Sequence, residues 1–379
     1  MSAIYLIGFI QSLFVSSLFL LKKQKKPSDY VLSFYILVMG FFLFFIYSKE
    51  SGFYDANPLT IVLDILYWVW IGPALFVYID LIVSVKQRFK KMYLLHLIPM
   101  VIVLIGFSEY FINSDISYFE DFDSDWWFTS FATYVWYYNS HVYYLICIVK
   151  LLFHRKEIKH YFSNTSKRDL KWLFHLANGF AAFLIFGLIT GILRYYFEVD
   201  FSFSSKHYTW LVMVIYIFGI GYYGYVQKGV FADITKKDFS EDAKHVFEPK
   251  SRYEKSGLSE EESLIIQNSL LDYMKNEKPY LDAELNLTFL AEKINTTSHK
   301  LSQVINEKLK LNFYDFVNKY RVEDAKQALC DPQNDNLKIL TIAWDCGFNS
   351  KSVFYSTFKK FTNQTPSQYR NTVLKVNYA

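Results

Sequence analysis

The chain has 379 residues, of which 52% are hydrophobic, with 37 Phe and 31 Tyr, and its formal net charge is +4. That length allows two or three domains, and an apolar content this high argues against a purely soluble protein. Three scattered cysteines, Cys147, Cys330 and Cys346, exclude a disulfide framework and a cysteine metal site, and neither a metal nor a cofactor is expected.

Seven apolar segments come first, at roughly 3–21, 28–48, 59–85, 92–110, 129–153, 173–197 and 208–227. Most approach the ~20 residues a helix needs to cross a hydrocarbon core. In lipid such segments must be helical, because their backbone groups have no other partners. Gly72-Pro73 is a candidate kink in the third. Loops after the first, third and fifth segments carry Lys22, Lys23, Lys25 and Lys26, then Lys86, Arg88, Lys90 and Lys91, then Arg155, Lys156, Lys159, Lys167, Arg168 and Lys171. The opposite loops are poor in basic residues, and the one at Glu109–Asp125 is acidic. The positive-inside rule then puts the N-terminus outside and everything after Lys228 in the cytoplasm, as in a multi-pass inner-membrane protein.

Of the ionisable residues inside these segments, two stand out as candidates: Asp64 in the third and Arg194 near the outer edge of the sixth. Intramembrane charge is costly and faces a partner or a cavity. Two readings stay open: an outward-facing ligand pocket lined also by Trp68, Tyr137, Asn139 and His141, or a structural ion pair with helix-to-helix hydrogen bonds. The structural reading is the more economical. Gly219-Ile-Gly221-Tyr-Tyr-Gly224 has dinucleotide-loop spacing, but it lies in an apolar run with no strand ahead of it. Residues 209–227 contain no lysine, which excludes a retinal-type photoreceptor.

Residues 228–258 are mixed in charge and lack periodicity, as a flexible tether does. Ser259-Glu-Glu-Glu262 has capping-box spacing and opens a helix, with Leu264, Ile265, Leu271 and Met274 at helical intervals.

Two helix-turn-helix patterns follow. In the first, Leu287–Ile294 and a helix capped by Thr297 flank a turn at Asn295-Thr296. Leu290, Ala291 and Ile294 face Leu301, Val304 and Ile305, leaving His299, Lys300, Ser302, Gln303 and Asn306 on the outward face. In the second, Ile339–Cys346 leads through Gly347-Phe348 to a helix capped by Ser350, with Phe354 and Phe358 inward. Lys351, Ser352, Tyr355 and Ser356 remain for a groove, and Lys359 and Lys360 for phosphate. Phe313–Leu329 reads as one connecting helix with Phe316, Tyr320, Ala325 and Leu329 inward. From Lys293 onward thirteen Lys and Arg stand against seven Asp and Glu, a mild excess that suits a polyanionic partner.

Leu290-Ala291, Leu301-Ser302, Phe316, Arg321, Ala325, Ile342-Ala343, Gly347-Phe348, Phe354, Phe358-Lys359 and Thr365-Pro366 carry a resemblance, over roughly 262–372, to the AraC/XylS family of transcription regulators. The resemblance implies two helix-turn-helix units joined by a long helix. It also implies base contacts from positions matching His299, Ser302, Gln303, Lys351, Ser352 and Ser356. Two glycines usual in the family are Lys310 and Asn363 here. In plan the chain resembles membrane-anchored members of that family.

The expected architecture is all-α: a seven-helix transmembrane bundle (1–228), a linker (229–258) and an AraC-type domain (259–379). The expected function is signal-dependent, sequence-specific DNA binding without enzymatic activity. Expected partners are double-stranded DNA, the lipid bilayer, RNA polymerase, a signal ligand or protein, and a second copy of the chain. A transporter or membrane enzyme with an accessory DNA-binding domain is the alternative; the segments show neither paired catalytic groups nor two inverted repeats.

Overall fold

The computed structural model describes residues 2–53, 58–84, 88–106, 127–165, 170–197, 213–223 and 258–377. The acidic loop and nearly all of the linker lie outside these residues. The described residues are helical throughout, with no strand and one isolated bridge between Phe162 and Asn286. Two compact units emerge: Met1–Leu152 with Leu170–Phe231, and Phe153–Asp169 with Ala232–Ala379. Sequence grouping assigned 153–169 to the apolar half, whereas the chain folds these residues into the C-terminal unit.

The first unit holds helices α1 (Ser2–Leu20), α2 (Pro27–Ser51), α3 (Pro58–Val83), α4 (Ile98–Gly106), most of α5 (Trp127–Glu157), α6 (Lys171–Phe197) and α7 (Met213–Tyr223). Each overlaps one apolar segment. Among the described residues two of them, α1 and α2, are long and apolar enough to cross a membrane. The fourth segment opens as a 3₁₀ stretch, Lys91–Leu97, before the nine residues of α4. Pro73 is accommodated inside α3, which continues as one helix.

Contacts fix several helix directions. Gly8 lies against Val214 and Gly221 against Val15, so α1 and α7 run parallel. Asn139 donates to the Val69 carbonyl (3.1 Å), Gly72 abuts Tyr143, and Lys150 pairs with Asp80, so α3 and α5 are also parallel. The Ser16 and Ser33 hydroxyls meet at 2.5 Å and Gly40 abuts Ser12, making α1 and α2 antiparallel. Gly221 therefore serves close helix packing, since a Cβ there would come within 2.6 Å of the Val15 side chain. The described part of the dinucleotide pattern, Gly219 to Tyr223, is helical, in keeping with its setting in an apolar run.

The second unit holds α8 (Glu260–Asn276), α9 (Leu287–Lys293), α10 (Ser298–Glu307), α11 (Phe313–Cys330), α12 (Ile339–Asp345), α13 (Lys351–Thr362) and α14 (Pro366–Asn377). Side-chain caps start four of them: Ser259, Asn286, Thr297 and Asn312 accept from the amides of Glu262, Phe289, Lys300 and Asp315. Each such cap is worth ~1 kcal/mol. Two cores form on the connecting helix α11. Its first half supplies Phe313, Phe316 and Val317 to a cluster with Leu270, Leu290, Ala291, Leu301, Val304 and Ile305. Its second half supplies Val322, Ala325 and Leu329 to a cluster with Ile342, Ala343, Phe348, Phe354 and Phe358.

Ile158, Tyr161 and Phe162, from the segment after α5, are buried in the first of these cores. The Leu287 amide donates to the Tyr161 carbonyl (2.9 Å), and the Ser163 hydroxyl donates to the Leu285 carbonyl (2.7 Å).

Candidate nucleic-acid interface

The first helix-turn-helix pairs α9 with α10. Its turn passes through Asn295, whose φ of 54° is the left-handed conformation asparagine tolerates. Lys310, in the position of a usual glycine, adopts φ 55°, and Asn363 adopts φ 60°. Both turns therefore keep the left-handed geometry, at a strain of roughly 1–2 kcal/mol where the residue is lysine.

On α10, His299, Lys300 and Asn306 are half-buried. Ser302 and Gln303 depart from the expected outward face: both are buried, at 3% and 6% exposure. Their polar atoms bond along the helix, Asn306 donating to the Ser302 carbonyl and hydroxyl, and Gln303 donating to Glu307. The acidic first turn of α8 also engages this helix. Glu262 pairs with Lys300 (2.5 Å) and Glu260 with Lys308. Sequence spacing placed Glu262 in a capping box; Ser259 keeps its half of that motif, and Glu262 turns to the lysine.

The second unit matches its expected face more closely. Lys351, Ser352, Ser356, Lys359 and Lys360 are exposed on α13, while Phe354, Thr357 and Phe358 are buried. Tyr355 is half-buried, with the Lys351 ammonium 5.8 Å from its ring centre. Ser350 occupies the N-cap position without capping; its hydroxyl meets that of Ser352 at 3.1 Å. Lys360 is held by Asp315 at 2.6 Å.

Arg321 ties the two helix-turn-helix units together. It is 1% exposed, and its guanidinium donates to the carbonyls of Tyr280 (2.6 Å), Asp282 (2.7 Å) and Ser163 (3.3 Å), and to the side chains of Asn318 and Ser163. Its carbon lies 5.8 Å from the centre of the Phe348 ring, in the turn of the second unit. Burial pushes the guanidinium down to about 10, which leaves it cationic at neutral pH. The resemblance included Arg321, but no pattern near it revealed what it holds.

In the first unit, the side chains of Asp64, Trp68, Tyr137 and Arg194 lie outside the described residues. Asn139 joins α5 to α3, and His141 is half-buried. Sequence reasoning passed over a different carboxylate. Asp80, 2% exposed, takes ion pairs from Lys90 (2.7 Å) and Lys150 and a hydrogen bond from Tyr93. An aspartate inside the third apolar run was the available signal. Among the described residues no group of His, Cys, Asp and Glu could hold a metal ion.

This geometry agrees with comparison to known families. Residues 290–372 match the family described as a helix-turn-helix domain. They form a helix-turn-helix domain of the AraC type. An uncharacterized HTH-type transcriptional regulator of Staphylococcus aureus is 36% identical over 103 residues, covering 27% of this chain and 13% of that protein. The melibiose operon regulatory protein of Escherichia coli is 29% identical over 89 residues, covering 24% of this chain and 28% of its own length. This chain thus spans under a third of the length of either relative. A solved Listeria innocua protein of unknown function is 30% identical, covering 28% of this chain and 96% of that one, at a TM-score of 0.25.

Proposed function

We propose that the chain is a membrane-bound, sequence-specific DNA-binding transcription regulator, with a seven-span first unit that senses a signal and a cytoplasmic AraC-type domain that responds. The observation that carries it is the pair of helix-turn-helix cores on one connecting helix, with an exposed polar and basic face on α13. Such a face supplies hydrogen-bonding groups for base edges and lysines for phosphate.

The polarity of the first unit supports the membrane part. Ser12, Ser16, Ser33, Ser48 and Ser140 are buried, while Ile7, Ile10 and Phe14 on α1, and Val142, Leu145 and Val149 on α5, are exposed. Apolar stripes at helical spacing on the outside, and small hydroxyls inside, suit a lipid solvent. Parallel α1 and α7, and parallel α3 and α5, are what alternating crossings of seven segments require. The reading places the N-terminus outside, in the inner membrane, and assigns no catalytic step.

The test is chromatin capture with sequencing on the full chain and a Lys351→Ala/Ser356→Ala variant, alongside membrane fractionation. Sharp peaks lost in the variant are expected; a membrane-resident protein without peaks under many growth conditions would sink the reading. In purified form, Lys359→Ala should weaken binding to all sequences and flatten the slope of log affinity against log salt by about one. Glu262→Gln should act in the opposite direction. It frees Lys300 from a half-exposed ion pair worth ~0.2–1 kcal/mol, so affinity at low salt rises by about 1.4- to fivefold. Unchanged or reduced affinity would mean that Lys300 does not reach DNA.

A further inference from the structure

Residues 158–165 follow directly on α5, and the same stretch of chain leads on to α6. They are nonetheless built into the DNA-reading unit, in three layers of contact. The apolar layer is Ile158, Tyr161 and Phe162, at 4%, 8% and 4% exposure, among the residues that support α9 and α10. The backbone layer is a strand-like pairing: the Leu287 amide donates to the Tyr161 carbonyl (2.9 Å), the Ser163 amide donates to the Leu285 carbonyl (3.3 Å), and Phe162 bridges Asn286. Asn286 is also the N-cap of α9. The polar layer centres on Ser163, fully buried. Its carbonyl accepts from Asn318 (2.9 Å) and Arg321, and its hydroxyl accepts from Arg321 (3.1 Å).

These contacts converge on the residue that joins the two helix-turn-helix units. Arg321 meets Ser163 on one side and the Phe348 ring on the other. A segment that shapes the entry to α9 and orients Arg321 acts on the first unit directly and on the second through one side chain. Withdrawal would take the Ser163 carbonyl and hydroxyl from Asn318 and Arg321, leaving them only the Tyr314, Tyr280 and Asp282 carbonyls and their own mutual bond.

We propose that residues 158–165 are an intramolecular docking peptide, occupying a groove formed by Leu285–Leu287, Asn318 and Arg321, and that their engagement sets the DNA affinity of the AraC-type domain. This rests on the DNA-binding reading above. A signal that moves α5 acts on the end of the peptide joined directly to it, so the equilibrium between docked and withdrawn states carries the signal. The differential is contact energy present in one state and absent in the other.

The experiment uses the full chain in lipid nanodiscs, with two readouts: hydrogen exchange at the Ser163 and Leu287 amides, and affinity for duplex recovered by chromatin capture. Slow exchange at both amides is expected in the wild type. Phe162→Asp places a carboxylate in the apolar layer; both amides should become fast and DNA affinity fall at least tenfold, while amides of α13, in the other core, stay protected. Ser163→Ala, which removes only the hydroxyl, should lower affinity about threefold. Fast exchange at both amides in the wild type overturns the docking. Fast exchange in Phe162→Asp with DNA affinity unchanged overturns the control. If Phe162→Asp unfolds α13 as well, Ser163→Ala decides: undiminished affinity overturns the proposal. Protected amides in a wild type that binds no DNA would uphold the docking and remove the regulatory role together with the reading beneath it.

Discussion

Replacing Arg321 by methionine, which fills similar volume without the charge, should destabilise the C-terminal unit by about 3–5 kcal/mol. The guanidinium makes five hydrogen bonds to groups from three separate stretches of chain, around Ser163, Tyr280–Asp282 and Asn318. Without it, buried carbonyls lose their donors, and each unmet group costs ~1–3 kcal/mol. The stated range lies below the simple sum because such contributions are not additive. Burying the cation is itself costly, which is why its affinity for the proton falls; its value lies in the positions it enforces. The measurement is alkylation of Cys346 against urea, read by mass spectrometry on the full chain. Cys346 is 5% exposed in the second core, and burial pushes its thiol up to about 12, so it reacts only when that core opens. A midpoint shift equivalent to less than about 1 kcal/mol, within reach of an ordinary surface substitution, would contradict the role assigned to Arg321.

Gly347→Ala should be nearly as damaging, at about 2–4 kcal/mol. Gly347 has φ 85°, and a Cβ there would lie 2.4 Å from the Tyr280 carbonyl oxygen and 2.9 Å from that of Leu281. Both obstacles are backbone, and Tyr280 is already fixed by Arg321, so neither can give way cheaply. The turn between α12 and α13 would have to move, carrying the exposed lysines of α13 with it. Faster hydrogen exchange across α12 and α13 checks this, with α1 and α2 as internal controls. Wild-type exchange rates in both helices would refute the close approach.

The helices of both halves were legible because their signals are local. Apolar runs, Thr297 before α10 and Gly347 in the turn each act within a few residues, and the structure follows them. The outward face of α10 was legible only in part. Ser302 and Gln303 sit at positions that a two-helix pattern leaves open, but the helix has a third neighbour in α8, and side-chain bonds to Asn306 and Glu307 fold along its surface. Asp80 was passed over because its partner Lys90 was counted only for the sidedness of its loop, and Lys150, inside the fifth apolar segment, was not weighed at all. Residues 158–165 could not be found by pattern at all. Tyr161, Phe162 and Ser163 form no repeat, and Ser163 meets Leu285 across 122 positions of chain, a pairing that only folding discloses.

That separation has a consequence for how the protein is made. Ser163 leaves the ribosome 122 residues ahead of Leu285. At ~5–20 residues per second, the wait is about 6–24 s. For that time Tyr161 and Phe162 have no groove to enter, and the AraC-type domain, synthesised later, must close around a segment already in place. Its first core is therefore completed by the oldest of its parts, and a nascent chain stalled before Leu285 presents an uncovered aromatic pair to chaperones and proteases.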